Sequence, residues 1–174
     1  MLILENGKMP AQANSFSSVE FADDWNTARN SELWPLDPDP ETIAKKEAAL
    51  IKATDYLNGL NWNGRKAAPG RIMAWPRIQA HDQDGYNIDP ETVPEAVMAA
   101  CSYLAGLVYG GAELQPMLER GGRIQSKAIG KLKKTYFQDA NNRDVFSGLY
   151  DLLAGLVDFG PGPDGVFTVP IAIA

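Results

Sequence analysis

The sequence predicts a mainly α fold: a small helical bundle of about four helices, with a short β-hairpin and an extended C-terminal arm. Three observations predict it. Apolar residues recur every three or four positions in several separate stretches, the mark of helices with one buried face. That period gives way to alternation between Arg123 and Phe137. The last nine residues carry no charge and follow the breaker-rich run Gly160-Pro161-Gly162-Pro163-Asp164-Gly165.

The elements follow in chain order. Residues 1–14 open with a short strand and then lose pattern. Ser17 and Glu20 have capping-box spacing, so Ser17 is the expected N-cap of a short helix. Val19, Phe21, Ala22 and Trp25 face inward there. Pro35, Pro38 and Pro40 punctuate the next loop. Asp39 caps a second helix with Pro40 at its first position, and Ile43, Leu50, Ile51, Thr54 and Leu57 form its apolar face. Asn58-Gly59 stops it. A loop-rich stretch over 61–89 carries Trp62, Trp75 and Pro76. A third helix starts near Val93-Pro94 and runs to Tyr109; it is apolar nearly all round, hence central, and Gly110-Gly111 ends it. Around 123–137, Ile124, Ser126 and Ala128, then Leu132, Thr135 and Tyr136 after Gly130, read as a hairpin. Asn142 or Asp144 caps a fourth helix, with Val145, Leu149, Leu152 and Leu156 in register. The helical body with its hairpin is assigned to residues 1–159, and the linker and arm to 160–174.

At 174 residues, with 45% apolar and 22% charged, the chain reads as one soluble globular domain with an appendage. A net charge of −6 makes the whole surface a poor binder of nucleic acid or anionic membrane. One Cys and one His argue against a disulfide framework, a structural zinc site or a His-based triad. Binding or assembly is left, with no cofactor, no metal and no enzymatic activity expected. The run Leu2-Ile3-Leu4 is too short for a signal peptide. The uncharged run 96–112 falls short of a membrane span. A cytosolic origin is expected, which a lone Cys suits.

Two features stand out as partner-binding. The arm holds Val166, Phe167, Val169, Ile171 and Ile173; burying each is worth roughly 1.5–3 kcal/mol. It either folds back, pairing with Leu2-Ile3-Leu4, or adds to a neighbouring subunit; Pro170 restricts it to an edge. The second is a run with no acid in it: Arg120, Arg123, Lys127, Lys131, Lys133 and Lys134. The rest of the chain then carries −12. This run is either a solvated, lysine-guarded edge or a patch facing DNA phosphates or an acidic partner. Other features read blandly. Residues 82–87 resemble a calcium loop, but Ala80 would stand at its first ligand position, so a polar turn is expected. His81 reads as a surface residue and Cys101 as a small core hydrophobe. Asp23 and Asp24 are consecutive on a helix and so poor acid–base partners.

Several runs resemble a group of bacteriophage proteins. They are Asn14-Ser15-Phe16 with Ala22 and Trp25; Ala48-Ala49-Leu50-Ile51-Lys52-Ala53-Thr54-Asp55-Tyr56-Leu57; and Trp62-Asn63-Gly64. The succession continues with Ala74-Trp75-Pro76-Arg77, Val93-Pro94-Glu95-Ala96-Val97, Ala100 and Leu104-Ala105. The group is labelled DnaT-like single-stranded-DNA-binding protein. It is similar in organisation to the head–tail adaptor, or head-completion, proteins of tailed phages. The resemblance spans residues 14–158, and its motifs have scaffold roles. Ala48, Ala49 and Ala53 would allow close helix packing, Leu50 and Leu57 would fill the core, and Trp75-Pro76 would lock the long loop. The resemblance implies a structural virion protein of the phage neck, made in the host bacterial cytoplasm. It would form a ring, commonly of twelve copies, that docks on the portal protein, extends the DNA channel and receives a tail or stopper protein. Its contact with phage DNA would be transient, with no membrane involved. That adaptor is the leading expectation. The alternative is a single-stranded-DNA-binding module using the basic 120–136 region.

Overall fold

Proline and aspartate set the start of the longest helix, and the rest of the body is arranged around what that helix buries. The computed structural model describes residues 1–114, 126–129, 132–135 and 147–159. Its helices are α1 (Val19–Thr27), α2 (Pro40–Asn58), α3 (Glu95–Tyr109) and α4 (Ser147–Leu152). Its strands are β1 (Arg65–Lys66), β2 (Arg77–Ile78), β3 (Ser126–Ile129) and β4 (Leu132–Thr135). The protein is thus mainly helical, with a two-stranded antiparallel hairpin, as its periodicities predict. The chain divides into two units. The first comprises Met1–Gln115 and Phe146–Asp158; the second comprises Pro116–Val145 and Phe159–Ala174. In the second, the hairpin strands and Phe159 are the described residues.

In the first unit α3 is the hub, packing against α1, α2 and α4. Its Val97, Ala100, Cys101, Leu104 and Ala105 are fully buried, as expected of a helix apolar on every side. Pro94 is its N-cap and Gly110 its C-cap. The predicted start of α2 holds: the Asp39 carboxylate accepts from the Glu41 and Thr42 backbone N–H, and Pro40 opens the helix. Ala49, Leu50, Ala53, Thr54, Tyr56 and Leu57 are buried on it. Ala49 and Ala53 bring α2 close to α3, whereas Ala48 faces solvent and takes no part.

Four expectations need correction. Ser18, not Ser17, caps α1 by accepting from Phe21 N–H. Ser17 turns inward, where its hydroxyl lies 3.0 Å from that of Ser102 on α3. A buried partner outcompetes the helix end for the same hydroxyl. Within α1 only Ala22 and Asn26 are fully buried; Val19, Phe21 and Trp25 are half-buried. On α2 the apolar stripe does not reach Ile43, which is exposed, while Lys46 one turn later is buried. Near the C-terminal end, Leu149, Leu153 and Leu156 are buried and Leu152 is only half-buried, because α4 stops at Leu152 and turns follow. Asn142, Asp144 and Val145 lie outside the described residues.

The 61–89 stretch, expected as loop-rich, is tied down at several points. Asn58 at the end of α2 accepts from Ala74 N–H at 2.7 Å. Trp62 donates its indole N–H to Leu57 C=O at 2.8 Å and meets Trp75 edge-on, with ring centroids 5.6 Å apart. The Trp75-Pro76 peptide is cis, and Trp75 is buried. The Arg77 guanidinium donates to the carbonyls of Trp62, Asn63, Gly64 and Ala74. Arg77 of one shared motif therefore holds all three residues of another, Trp62-Asn63-Gly64. Gly64 has φ +65°, and a Cβ there would sit 2.6 Å from Ile78 O.

The N-terminal segment is clasped in the same manner. Leu4 bridges Ser15, and the fully buried Glu5 accepts from Gly7 and Met9 N–H through one oxygen and from Arg71 through the other. Arg71 also donates to the carbonyls of Met9 and Pro10.

Candidate nucleic-acid interface

Phosphate recognition by a net acidic chain needs cations gathered locally. The hairpin carries the densest one. Its register sets Ser126 opposite Thr135, Lys127 opposite Lys134, Ala128 opposite Lys133 and Ile129 opposite Leu132. The antiparallel ladder thus brings three of the six predicted cations onto two adjacent strands. Arg120, Arg123 and Lys131 lie outside the described residues. So do the arm residues Val166, Phe167, Val169, Ile171 and Ile173.

A second candidate lies between α1 and α3. A cleft of about 540 Å³ is lined by Phe21, Asp24, Trp25, Arg29, Glu95, Ala96 and Ala99. Arg29 lies over the Trp25 ring, 3.9 Å from its centroid, and donates to Trp25 C=O. Tyr103 meets the same ring edge-on at 6.2 Å. Gly148 of α4 lets that tyrosine in, since a Cβ there would stand 2.8 Å from the phenol ring. This cleft offers aromatic surface, but Asp24 and Glu95 set two carboxylates against one guanidinium. Its electrostatics are wrong for a polyanion.

Sequence reasoning missed an ion pair whose ammonium is buried and whose carboxylate is half-buried. Lys46 is 1% exposed, and its ammonium lies 2.6 Å from Asp23 Oδ1. The same oxygen accepts from Trp34 Nε1 at 2.6 Å, and the ammonium stands 5.2 Å from the Trp34 ring. The signal was present: Lys46 falls four residues before Leu50, inside the apolar stripe. Asp23 thus has a structural partner on another helix. Cys101 is buried as expected, against Thr54 Oγ1 at 3.4 Å and Leu50 C=O at 3.6 Å. Burial pushes its thiol up to about 11. The 82–87 segment is a polar turn: Asp82 accepts from the N–H of Asp84 and Tyr86. His81 is exposed. Among the described residues, no group of three or more His, Cys, Asp or Glu side chains is placed to hold a metal ion. No helix among them is long and apolar enough to cross a membrane.

The fold and its charge distribution define a small helical protein carrying a lysine-bearing β-hairpin. The chain belongs to the family described as "Putative DnaT-like ssDNA binding protein", whose model matches residues 1–172. No curated protein and no solved structure matches it. The family match agrees with the DnaT-like resemblance and carries nothing on head–tail adaptor identity.

Proposed function

We propose that this protein binds single-stranded DNA, with the 120–136 segment as its phosphate-facing element. The family description favours this reading over the phage-neck one and reverses the order in which the sequence alone ranked them. The observation that carries it is charge segregation: six cations and no acid between positions 120 and 134, against −12 on the rest of the chain. At about 0.1 M salt the screening length is about 10 Å, so a phosphate beside this segment feels chiefly the charges within that reach. Tyr136 and Phe137 would offer aromatic faces for bases.

Fluorescence anisotropy of a labelled oligothymidine tests the reading across a salt series. Each phosphate neutralised on a single strand contributes about 0.7 to the slope of log affinity against log salt. Binding should weaken steeply with salt, and the combined Lys131→Ala, Lys133→Ala and Lys134→Ala variant should abolish it. Binding that ignores salt, or survives in that variant, ends this reading.

The charge-free segment 166–174 favours a second reading, the virion head–tail adaptor. In it, copies of the chain assemble as a ring on a portal protein and pass DNA to a tail or stopper protein. Val166, Phe167, Val169, Ile171 and Ile173 would be sheltered by a neighbouring polypeptide, since exposed they invite aggregation. Deleting 166–174 should then leave the helical body folded and block co-assembly with a portal ring. Both readings make the protein a binding or assembly protein rather than an enzyme.

A further inference from the structure

The first unit contains its own acid-free stretch, and the fold turns it into a surface. Between Asp55 and Asp82 the chain has Arg65, Lys66, Arg71 and Arg77 and no carboxylate. Two of these four are consumed internally. Arg77 is buried on four carbonyls, and Arg71 is paired with the enclosed Glu5. The other two keep N–H donors unused among the described residues, Lys66 after two of its three are spent. Arg65 is exposed, with no acid partner among the described residues. Lys66 donates to the carbonyls of Arg71 and Ile72 at 2.6 and 3.2 Å, which closes the turn and leaves its charge uncompensated. Beside them Ile72 is 83% exposed. Gly70, at φ +77°, has nothing within 4 Å of where a Cβ would be, so the tip is open. The base is rigid: β1 pairs with β2, Ala67 N–H donates to Pro76 C=O, and Met73 to Arg77 are all buried.

We infer that the 65–72 turn is a second contact for single-stranded DNA: Arg65 and Lys66 take backbone phosphates, and Ile72 packs against an unstacked base. The inference rests on the single-stranded-DNA reading above and extends it from the hairpin to the helical unit. Charge complementarity selects the occupant. Uncompensated cations beside an exposed apolar side chain match a strand that offers phosphates and bare base faces together. Were the occupant an acidic protein instead, Arg65→Glu and Ile72→Trp would leave single-strand binding unchanged.

The test uses the full chain and a labelled oligothymidine in a salt series. Arg65→Glu should weaken binding about ten-fold and lower the salt slope by about 0.7, with an unchanged melting curve. Ile72→Trp should bind at least as tightly as the parent and show indole quenching on DNA addition beyond that of the parent. Quenching needs no loss of function, so it reads the contact even where Arg65→Glu perturbs folding. If the parent binds and is lost only on replacing Lys131, Lys133 and Lys134, with Arg65→Glu and Ile72→Trp silent, the turn is not a contact and the hairpin reading stands. If the parent binds no single strand at all, both fall.

Discussion

Lys46 and Arg77 are both buried cations in the helical unit, and they are held in opposite ways. Lys46 has one carboxylate, Asp23 on another helix, and an indole beside it. Arg77 has no carboxylate; its guanidinium is shared among four backbone carbonyls of one loop. The first arrangement joins two helices through a contact that needs both charges. The second shapes a loop through a planar fork whose donors point in fixed directions. The difference shows that this fold buries charge for two purposes, docking in one corner and local shape in the other.

The two arrangements should break differently. Arg77→Ala has the largest expected effect. It orphans up to four carbonyls at about 1–3 kcal/mol for each one left buried and unpaired, so a loss above about 3 kcal/mol is expected in denaturant unfolding. Arg77→Lys should restore only part of it, because an ammonium cannot span the same acceptors. Asp23→Ala comes next, at about 3 kcal/mol, since it strands the Lys46 charge in the interior. Adding Lys46→Met to it should return most of that loss. No single further substitution should do the same for Arg77→Ala, and a rescue there would erase the contrast.

Smaller effects sharpen it. The Cys101 thiol has a folded pKa raised from 9.0 to about 11. Its unfolded form ionises first, so stability is fully present below about pH 9 and declines as pH rises from there toward about 11. Cys101→Ala should flatten that decline. Ser102→Ala removes the hydroxyl facing Ser17 and should cost about 1 kcal/mol. Asp39→Ala, which uncaps α2 at the surface, should cost about the same or less.

The contrast also explains what was legible in the sequence. Asp39-Pro40, Gly59 and the apolar α3 act locally, through caps and periodicity, and each was read at the right place. The alternation around Gly130 likewise marked the hairpin. What escaped was set by distant partners. Ser17 and Ser18 are chemically alike, and only Ser102, far along the chain, decides which of them caps α1. Lys46 sits in an apolar stripe, and nothing nearby reveals that Asp23 waits across the bundle. Arg77 is a loop arginine with no acid in sight, because its acceptors are carbonyls, which every residue has. Of the candidate interface, the lysines of the hairpin were legible as composition. Arg65 and Ile72 were not, since their prominence depends on Arg71 and Arg77 being turned inward.

Glu5 carries that last point further. By enclosing its carboxylate around Arg71, the chain removes one positive group from the outside of the 65–72 turn and one negative group from its own periphery. A tally of letters credits the stretch from Arg65 to Arg77 with four positives; Glu5 cancels one and Arg77 is buried, so a passing polyanion would feel three and touch two. Long-range attraction toward this part of the molecule is therefore weaker than its composition suggests, and its selectivity rests on where the remaining pair stands.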